Sequence, residues 1–381
     1  MAVRRAAAWY STFVFHLATT MSKQESLEQI RMRIDALDTQ IQELINQRAA
    51  AAQQVAQIKL IEDKDAFFYR PEREAAILRT IKGRNTGPMG SEDMARLFRE
   101  IMSACLALEL PMRVAFLGPA GTFTQAAALK HFGHSVETVP MHSIPDIFRE
   151  VESENAHYGV VPVENSTEGV INHTLDMFIA SSLSICGEVM MRIHHHLLSL
   201  ESELPRIVRV YSHQQSLAQC RLWLDRNLPH AEQITVGSNA EAARLASQEE
   251  GSAAIAGEMA AELYQLKGLA RNIEDEPDNT TRFLVVGRQQ AAPSGEDKTT
   301  LMCATRNVAG GLNALLTPLA EHGISMSRIE SRPSRQGNWD YLFFIDINGH
   351  RDDPAVQKAL TALESESRLL KVLGSYPNAV L

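Results

Sequence analysis

The chain has 381 residues, enough for two or three domains that each bury a core. Its 37 basic and 46 acidic residues leave a net charge of −9, so no basic field points to nucleic acid. No apolar run approaches the ~20 residues of a membrane-spanning helix. The four cysteines, Cys105, Cys186, Cys220 and Cys303, lie far apart without a C-x-x-C, as reduced core thiols of a cytoplasmic protein do.

Arg4 and Arg5 precede an apolar stretch that His16 interrupts, and no A-x-A cleavage site follows. Residues 1–21 read as an unstructured extension ahead of a natural start at Met21. Over 23–62 the apolar residues Ile30, Ile34, Leu37, Ile41, Leu44, Ile45, Val55 and Ile58 recur at spacings of three and four, without Pro or Gly. They predict one long amphipathic helix. Pro71 opens a second helix to about 82, and Ser91 is placed to cap a third that runs to about 109. Pro111 closes the all-helical part.

From 113 the texture becomes strand and helix in alternation. Strands are predicted at 113–117, 158–163, 207–212, 253–256 and 283–287, with helices at 122–132, 143–152, 214–226 and 239–249. That pattern implies an α/β domain with a mainly parallel sheet. Segments near 188–195 and 270–283 cross the middle, which predicts two lobes around a cleft. After the polar linker 289–298 come strand 299–304, helix 310–322, strands 325–332 and 340–347, helix 354–364 and strand 368–374. This βαββαβ order is an α+β ferredoxin-like plait.

Three sets of residues carry chemistry. On the long helix Arg31 and Arg48 are 17 residues apart, about 25 Å. One small ligand cannot touch both within one chain. Arg48 and Lys59 are 11 apart and share a face. Read from spacing alone, these are solvated helix charges, or they serve one ligand with Arg31 supplied by a second chain. In the α/β part, Gly118-Pro-Ala-Gly-Thr-Phe-Thr124 makes a tight turn between strand and helix. Such a turn gathers backbone N–H groups, and the Thr122 or Thr124 hydroxyl, around an anion. It lacks the Lys of a nucleotide P-loop. His194-His195-His196 lies on an extended segment, where neighbours alternate faces, so the triplet is no metal site.

Leu27-x-x-Ile-Arg31-x-x-Ile-Asp-x-Leu-Asp38, with Arg48, Lys59 and Pro71-Glu-Arg-Glu74, resembles the all-helical chorismate mutase family. The resemblance implies an intertwined dimer. Arg48 and the partner's Arg31 then hold carboxylates, Lys59 donates to the ether oxygen, Arg73 lies nearby and Glu74 meets the substrate hydroxyl. Two departures are Arg70, where many relatives carry an acid, and Glu109, where some carry a Gln that donates to the ether oxygen. An ionised Glu109 cannot donate, so it must be protonated to help.

Val161-Pro-Val-Glu-Asn-Ser-Thr-Glu-Gly169, Tyr211-Ser-His-Gln-Gln215 and Asn279-Thr-Thr-Arg-Phe283 join the turn to resemble the prephenate dehydratase family, with Gln214 where a Pro is usual. That likeness makes Thr281 the proton donor. Thr122, Thr124, Glu164, Asn165, Ser166, Ser212, His213 and Gln215 become cleft candidates, and Arg282 either holds a carboxylate or braces its loop. The reaction needs no cofactor, because aromatisation drives decarboxylation. The plait resembles the ACT family, which binds amino acids at a dimer interface. Its signatures stand here as Gly310-Gly-Leu-Asn313, with Asn313 replacing an apolar residue, and Glu330-Ser-Arg-Pro333. The amides of Ala309, Gly310, Gly311 and Leu312 are expected to take the carboxylate of phenylalanine, beside Glu330, Ser331, Arg332 and Pro333.

The implied whole is a multidomain chain of the bacterial bifunctional chorismate mutase–prephenate dehydratase family. It has an extension (1–21), an all-α mutase (22–110), a two-lobed α/β dehydratase (112–289) and an ACT domain (298–377). It is expected to be a cytoplasmic homo-oligomer, at least a dimer, with chorismate, prephenate and phenylalanine as ligands and neither metal, nucleic acid nor membrane as partner. Two other readings keep the fold: a phenylalanine sensor with dead catalytic sites, against which Arg31, Arg48, Lys59 and Thr281 argue, and a dehydratase acting on arogenate.

Overall fold

The computed structural model describes residues 26–62, 67–305, 308–333 and 341–381. The expected extension 1–21 lies outside the described residues. By internal contacts the chain divides into two units, one up to Ile58 and one from Lys59 onward.

The first unit is helix α1, Leu27–Glu62, as far as Ile58. Its start is a reciprocal cap. Ser26 Oγ accepts from Gln29 N at 3.2 Å, and Gln29 Oε1 accepts from Ser26 N at 2.8 Å. A Ser followed three residues later by Gln satisfies two donors that a helix start leaves open. Taken alone, the unit is one helix with Leu27, Ile34, Leu37, Ile41 and Leu44 exposed along it.

In the second unit, α2 (Pro71–Arg84) and α3 (Ser91–Glu109) pack through Leu78, Ala95 and Met102. Pro71 occupies the first helical position, where its missing N–H is no loss. Gly90 rather than Ser91 sits at the cap of α3, without a side-chain bond.

Two lobes follow. The first holds β1 (Arg113–Leu117), α4 (Phe123–Phe132), β2 (Glu137–Met141), α5 (Ile144–Glu152), β3 (Tyr158–Asn165), β4 (Gly169–Val170), α6 (Asn172–Ala180) and β5 (Ser184–Arg192). The second holds β6 (His196–Ser199), β7 (Arg209–Ser212), α7 (Gln214–Gln219), α8 (Arg221–Asn227), β8 (Glu232–Thr235), α9 (Asn239–Ala246), β9 (Ser252–Ala256), α10 (Glu258–Tyr264) and β10 (Lys267–Ala270). Strand β11 (Thr280–Gly287) returns to the first lobe. The sheets run β2-β1-β3-β11-β5 and β10-β6-β9-β7-β8.

The mainly parallel sheet is corrected. β1 pairs parallel with β2 and β3, and β7 with β8 and β9, but β11 is antiparallel to β3 and β5, and β6 to β9 and β10. The two crossings, 193–195 and 271–279, each join a strand of one lobe to a strand of the other, β5 to β6 and β10 to β11. Chain that leaves one lobe and comes back must run against its neighbours. The expected helix 214–226 is likewise two helices, broken at Cys220.

The plait consists of β12 (Asp297–Ala304), α11 (Gly311–Glu321), β13 (Met326–Pro333), β14 (Tyr341–Asn348), α12 (Pro354–Glu366) and β15 (Leu369–Pro377), in the antiparallel order β13-β14-β12-β15. Leu315, Leu319, Val356 and Leu363 of its helices cover one face of the sheet. Met302, Leu342, Phe344, Leu373 and Tyr376 on the other face share a core with Phe148, Phe178, Ile185 and Leu284 of the first lobe. Apolar burial on this scale, roughly 25 cal/mol per Å², welds plait and lobe into one body. The four cysteines are buried thiols. Among the described residues no helix is long and apolar enough to cross a membrane, and no cluster of His, Cys, Asp and Glu could hold a metal.

Candidate active sites

Between the lobes lies a cleft of about 300 Å³. Thr122, Thr124, Asn165, His213, Gln215 and Thr281 line it, joined by Phe123, Glu168, His195, Gln219, Asn239 and Asn279. Each stands where a strand or helix begins or ends, where side chains in α/β folds meet ligands.

Thr281 is the second residue of β11 and is buried. Its Oγ1 accepts from Asn165 Nδ2 at 2.7 Å. The orientation of that amide follows from its other side, where Asn165 Oδ1 accepts the backbone N–H groups of Thr167 and Glu168, both at 3.0 Å. The NH2 group therefore faces Thr281, and the hydroxyl proton of Thr281 remains to be given elsewhere. Asn165 Nδ2 also donates to Asn279 Oδ1 (2.8 Å), and Asn279 Nδ2 donates to Gln219 Oε1 (3.0 Å). Gln219 Oε1 takes a second bond from His195 Nε2 (3.0 Å), which fixes His195 as the Nε2–H tautomer. Burial lowers the His195 pKa, against the hydrogen bond to Gln219 and the charge of Glu274, so the ring is neutral.

In the turn after β1 the two threonine hydroxyls are placed differently. Thr122 caps α4: its Oγ1 donates to Leu117 O (3.0 Å) and accepts from Gln125 N (3.5 Å). Gly121 N is taken by Gln125 Oε1 at 2.7 Å. Thr124 is buried at the cleft wall, where the first amides of α4 have no acceptor within the helix. On the opposite lobe His213 caps α7 through Nδ1, and its own N–H donates to Asn239 Oδ1 (3.0 Å). Gln214 is the first residue of α7, so this backbone accommodates either Gln or Pro there.

Four expected cleft residues do not line it. Ser212 is fully buried and bonds Asn239 Oδ1 and Ile255 O. Ser166 Oγ accepts from Thr280 N at 2.9 Å and holds the start of β11. Glu164 pairs with Arg328 of β13 at 3.0 Å. Arg282 points away from the cleft and braces: its guanidinium is held by Glu188, Asp346 and the Tyr376 hydroxyl. His195, Gln219 and Asn279 went unnamed as cleft residues. Alternation within the histidine triplet was the available signal. His194 Nδ1 turns to Glu274 (2.8 Å) and His196 Nδ1 takes Asn272 N (3.2 Å), so His195 alone meets the cleft.

In the helical part α1 is unbroken, so Arg31 and Arg48 stand about 25 Å apart. Lys59 Nζ donates to the carbonyls of Phe67 (3.3 Å) and Phe68 (3.4 Å) and lies 5.5 Å from the Phe68 ring centre. Burial lowers its pKa, Glu109 works against that, and Arg70 and Arg73 add to it. Lys59, Arg73 and Glu109 thus share one neighbourhood. Glu74 is elsewhere: its carboxylate pairs with Arg99, which also donates to His131 O. Glu74 is expected at a substrate hydroxyl, and in this structure its carboxylate is held in an ion pair with Arg99.

In the plait, Gly310 caps α11 with φ +82°, a left-handed backbone that a side chain would strain. Ala309, Leu312 and Asn313 are exposed around that helix start, and Gly311 is buried. On β13, Arg328, Glu330 and Arg332 share one face, and Arg332 Nη2 donates to Asp176 of α6 at 2.6 Å. Ser331 and Pro333 lie on the other, exposed face of the strand.

The chain matches the family Chorismate mutase type II over residues 30–110, Prephenate dehydratase over 114–291 and ACT domain over 299–365. It is 56% identical to the bifunctional chorismate mutase/prephenate dehydratase of Stutzerimonas stutzeri, covering 95% of this chain and 100% of that one. With the protein of the same description from Pseudomonas aeruginosa the identity is 54%, at the same coverage. A solved prephenate dehydratase from Arthrobacter aurescens, in complex with L-Phe, superposes with a TM-score of 0.65 at 35% identity, over 70% of this chain and 90% of that one. The chain belongs to the bifunctional chorismate mutase/prephenate dehydratase family.

Proposed function

We propose that this chain rearranges chorismate to prephenate in its helical part and converts prephenate to phenylpyruvate in the cleft, as a cytoplasmic homodimer restrained by phenylalanine. The mutase corresponds to 22–110, the dehydratase to 112–289 and the ACT domain to 298–377. The hydrogen bond from Asn165 to Thr281 supports the dehydratase reading most directly. In that reaction one proton is consumed, and water and carbon dioxide leave. Thr281 gives its hydroxyl proton to the departing ring hydroxyl. Asn165 Nδ2 stabilises the charge that grows on Oγ1 as the proton goes. The ring carboxylate then departs as carbon dioxide, its electrons completing the aromatic ring, and solvent reprotonates Thr281. Thr124 and the first amides of α4 are suited to a substrate carboxylate.

The mutase step rearranges bonds within one dianion and exchanges no atoms, so its catalyst needs cations in fixed positions. Arg48 and Lys59 supply them from one chain. The 25 Å between Arg48 and Arg31 leaves Arg31 to the site of a partner subunit. Phenylalanine binds the ACT domain near Ala309–Asn313 and Glu330–Pro333 and lowers dehydratase activity.

Replacing Thr281 by Ala tests the dehydratase reading. With prephenate as substrate, kcat is expected to fall about 10²–10⁴-fold while the mutase rate of the same chain is kept. A dehydratase that survives the change would remove Thr281 from its role.

A further inference from the structure

Arg282 follows Thr281 on β11, so the two side chains leave the strand on opposite faces. Thr281 meets the cleft. Arg282 is buried under it and held by strands of two sheets. Its Nε donates to Glu188 of β5 (2.9 Å), its Nη1 to Asp346 of β14, and its Nη2 to the Tyr376 hydroxyl of β15 (2.9 Å). Lys298 of β12 closes on Glu188 at 2.7 Å, and Thr300 of β12 bonds both Asp346 and Tyr376 at 2.7 Å. Two cations and two anions balance inside the core. The fourth plait strand, β13, reaches the cleft by another way. Its Arg328 pairs with Glu164, and Glu164 precedes Asn165, whose amide holds Thr281.

We propose that Arg282 is a positioning residue of the dehydratase, fixing Thr281 against Asn165 from a seat in the ACT sheet, so that the state of the ACT domain reaches Thr281. The claim rests on the dehydratase reading, and its second readout rests on phenylalanine as the effector. The physical ground is directionality. A guanidinium fork donates only in fixed directions, and a buried charge cannot be left unpaired. When the sheet shifts, β11 follows it, and Thr281 moves relative to Asn165. Misplacement by about 1 Å is enough to slow a reaction about 10²-fold.

Asp346→Asn keeps size and an acceptor, and Tyr376→Phe removes one hydroxyl. In the full-length protein each is expected to lower dehydratase kcat about tenfold with KM for prephenate within about twofold, the signature of lost positioning. The mutase rate of the same preparation, unchanged, reports a folded chain. Phenylalanine, titrated by calorimetry, is expected to bind both variants while its effect on kcat shrinks at least about fivefold. If Asp346→Asn does not fold, Tyr376→Phe carries the test. A raised KM with kcat kept, or kcat and inhibition both unaltered in folded variants, would overturn the inference. A wild type inert toward prephenate defeats instead the reading beneath it. A wild type that turns over prephenate but ignores phenylalanine leaves the kcat comparison to decide.

Discussion

Asn165 decides what Thr281 can do. Because its NH2 group faces the threonine, the hydroxyl is free to act as a donor. Asn165→Asp would place an acceptor there, turn the proton inward and is expected to cost about 10²–10³ in kcat. Activity within a few-fold of wild type would remove this role from the amide. In the helical part the pH profile is informative. Lys59 has a lowered pKa, so it is charged below that value and loses its proton as pH rises through it. If the mutase also needs a protonated Glu109, activity is best at low pH and declines as that carboxyl ionises. In Glu109→Gln the decline should move to the higher pH at which Lys59 deprotonates. Identical alkaline limbs in the two proteins would exclude Glu109. Thr281 and Asn165 could be read from local motifs. Gln219 could not, because it ends a helix of the other lobe and stands in no motif, whereas His195 and Asn279 fall in stretches that local pattern does single out, the histidine triplet and the Asn279–Phe283 run. Arg282 was readable either way: sequence neighbours of a donor look alike whether they face ligand or core.

At the level of elements, periodicity located the helices well, since the i, i+3, i+4 pattern of α1 and the Pro71 start are local signals. Strand direction was misjudged because it depends on where the chain crosses between lobes, which period-2 patterning does not encode. The join of β15 to β5 shows how tightly the ACT sheet sits. A Cβ added at Gly374 would lie 2.2 Å from Ile185 O and 2.8 Å from Ile185 N. Gly374→Ala must push the strands apart, and a destabilisation of about 1–3 kcal/mol is expected. Thermal unfolding that matches wild type would mean the two sheets are not held at this distance in solution.

The order of three domains was legible because each carries its own motif set, and the polar linker 289–298 separates the last two. The proposed pairing of subunits rests on less, the exposed apolar stripe of α1 and the distance between Arg31 and Arg48. Mixing the two single variants Arg31→Ala and Arg48→Ala tests it. If each mutase site takes Arg48 from one chain and Arg31 from the other, both homodimers are inactive, whereas a heterodimer has one intact site. Random exchange then restores about a quarter of wild-type mutase activity. No recovery after exchange would place both arginines elsewhere. The central claim, two successive reactions in one chain, is tested most directly by supplying chorismate alone and following the products with time. Wild type is predicted to yield phenylpyruvate, and Thr281→Ala to stop at accumulated prephenate. Phenylpyruvate from the variant, or no consumption of chorismate by either protein, would contradict it.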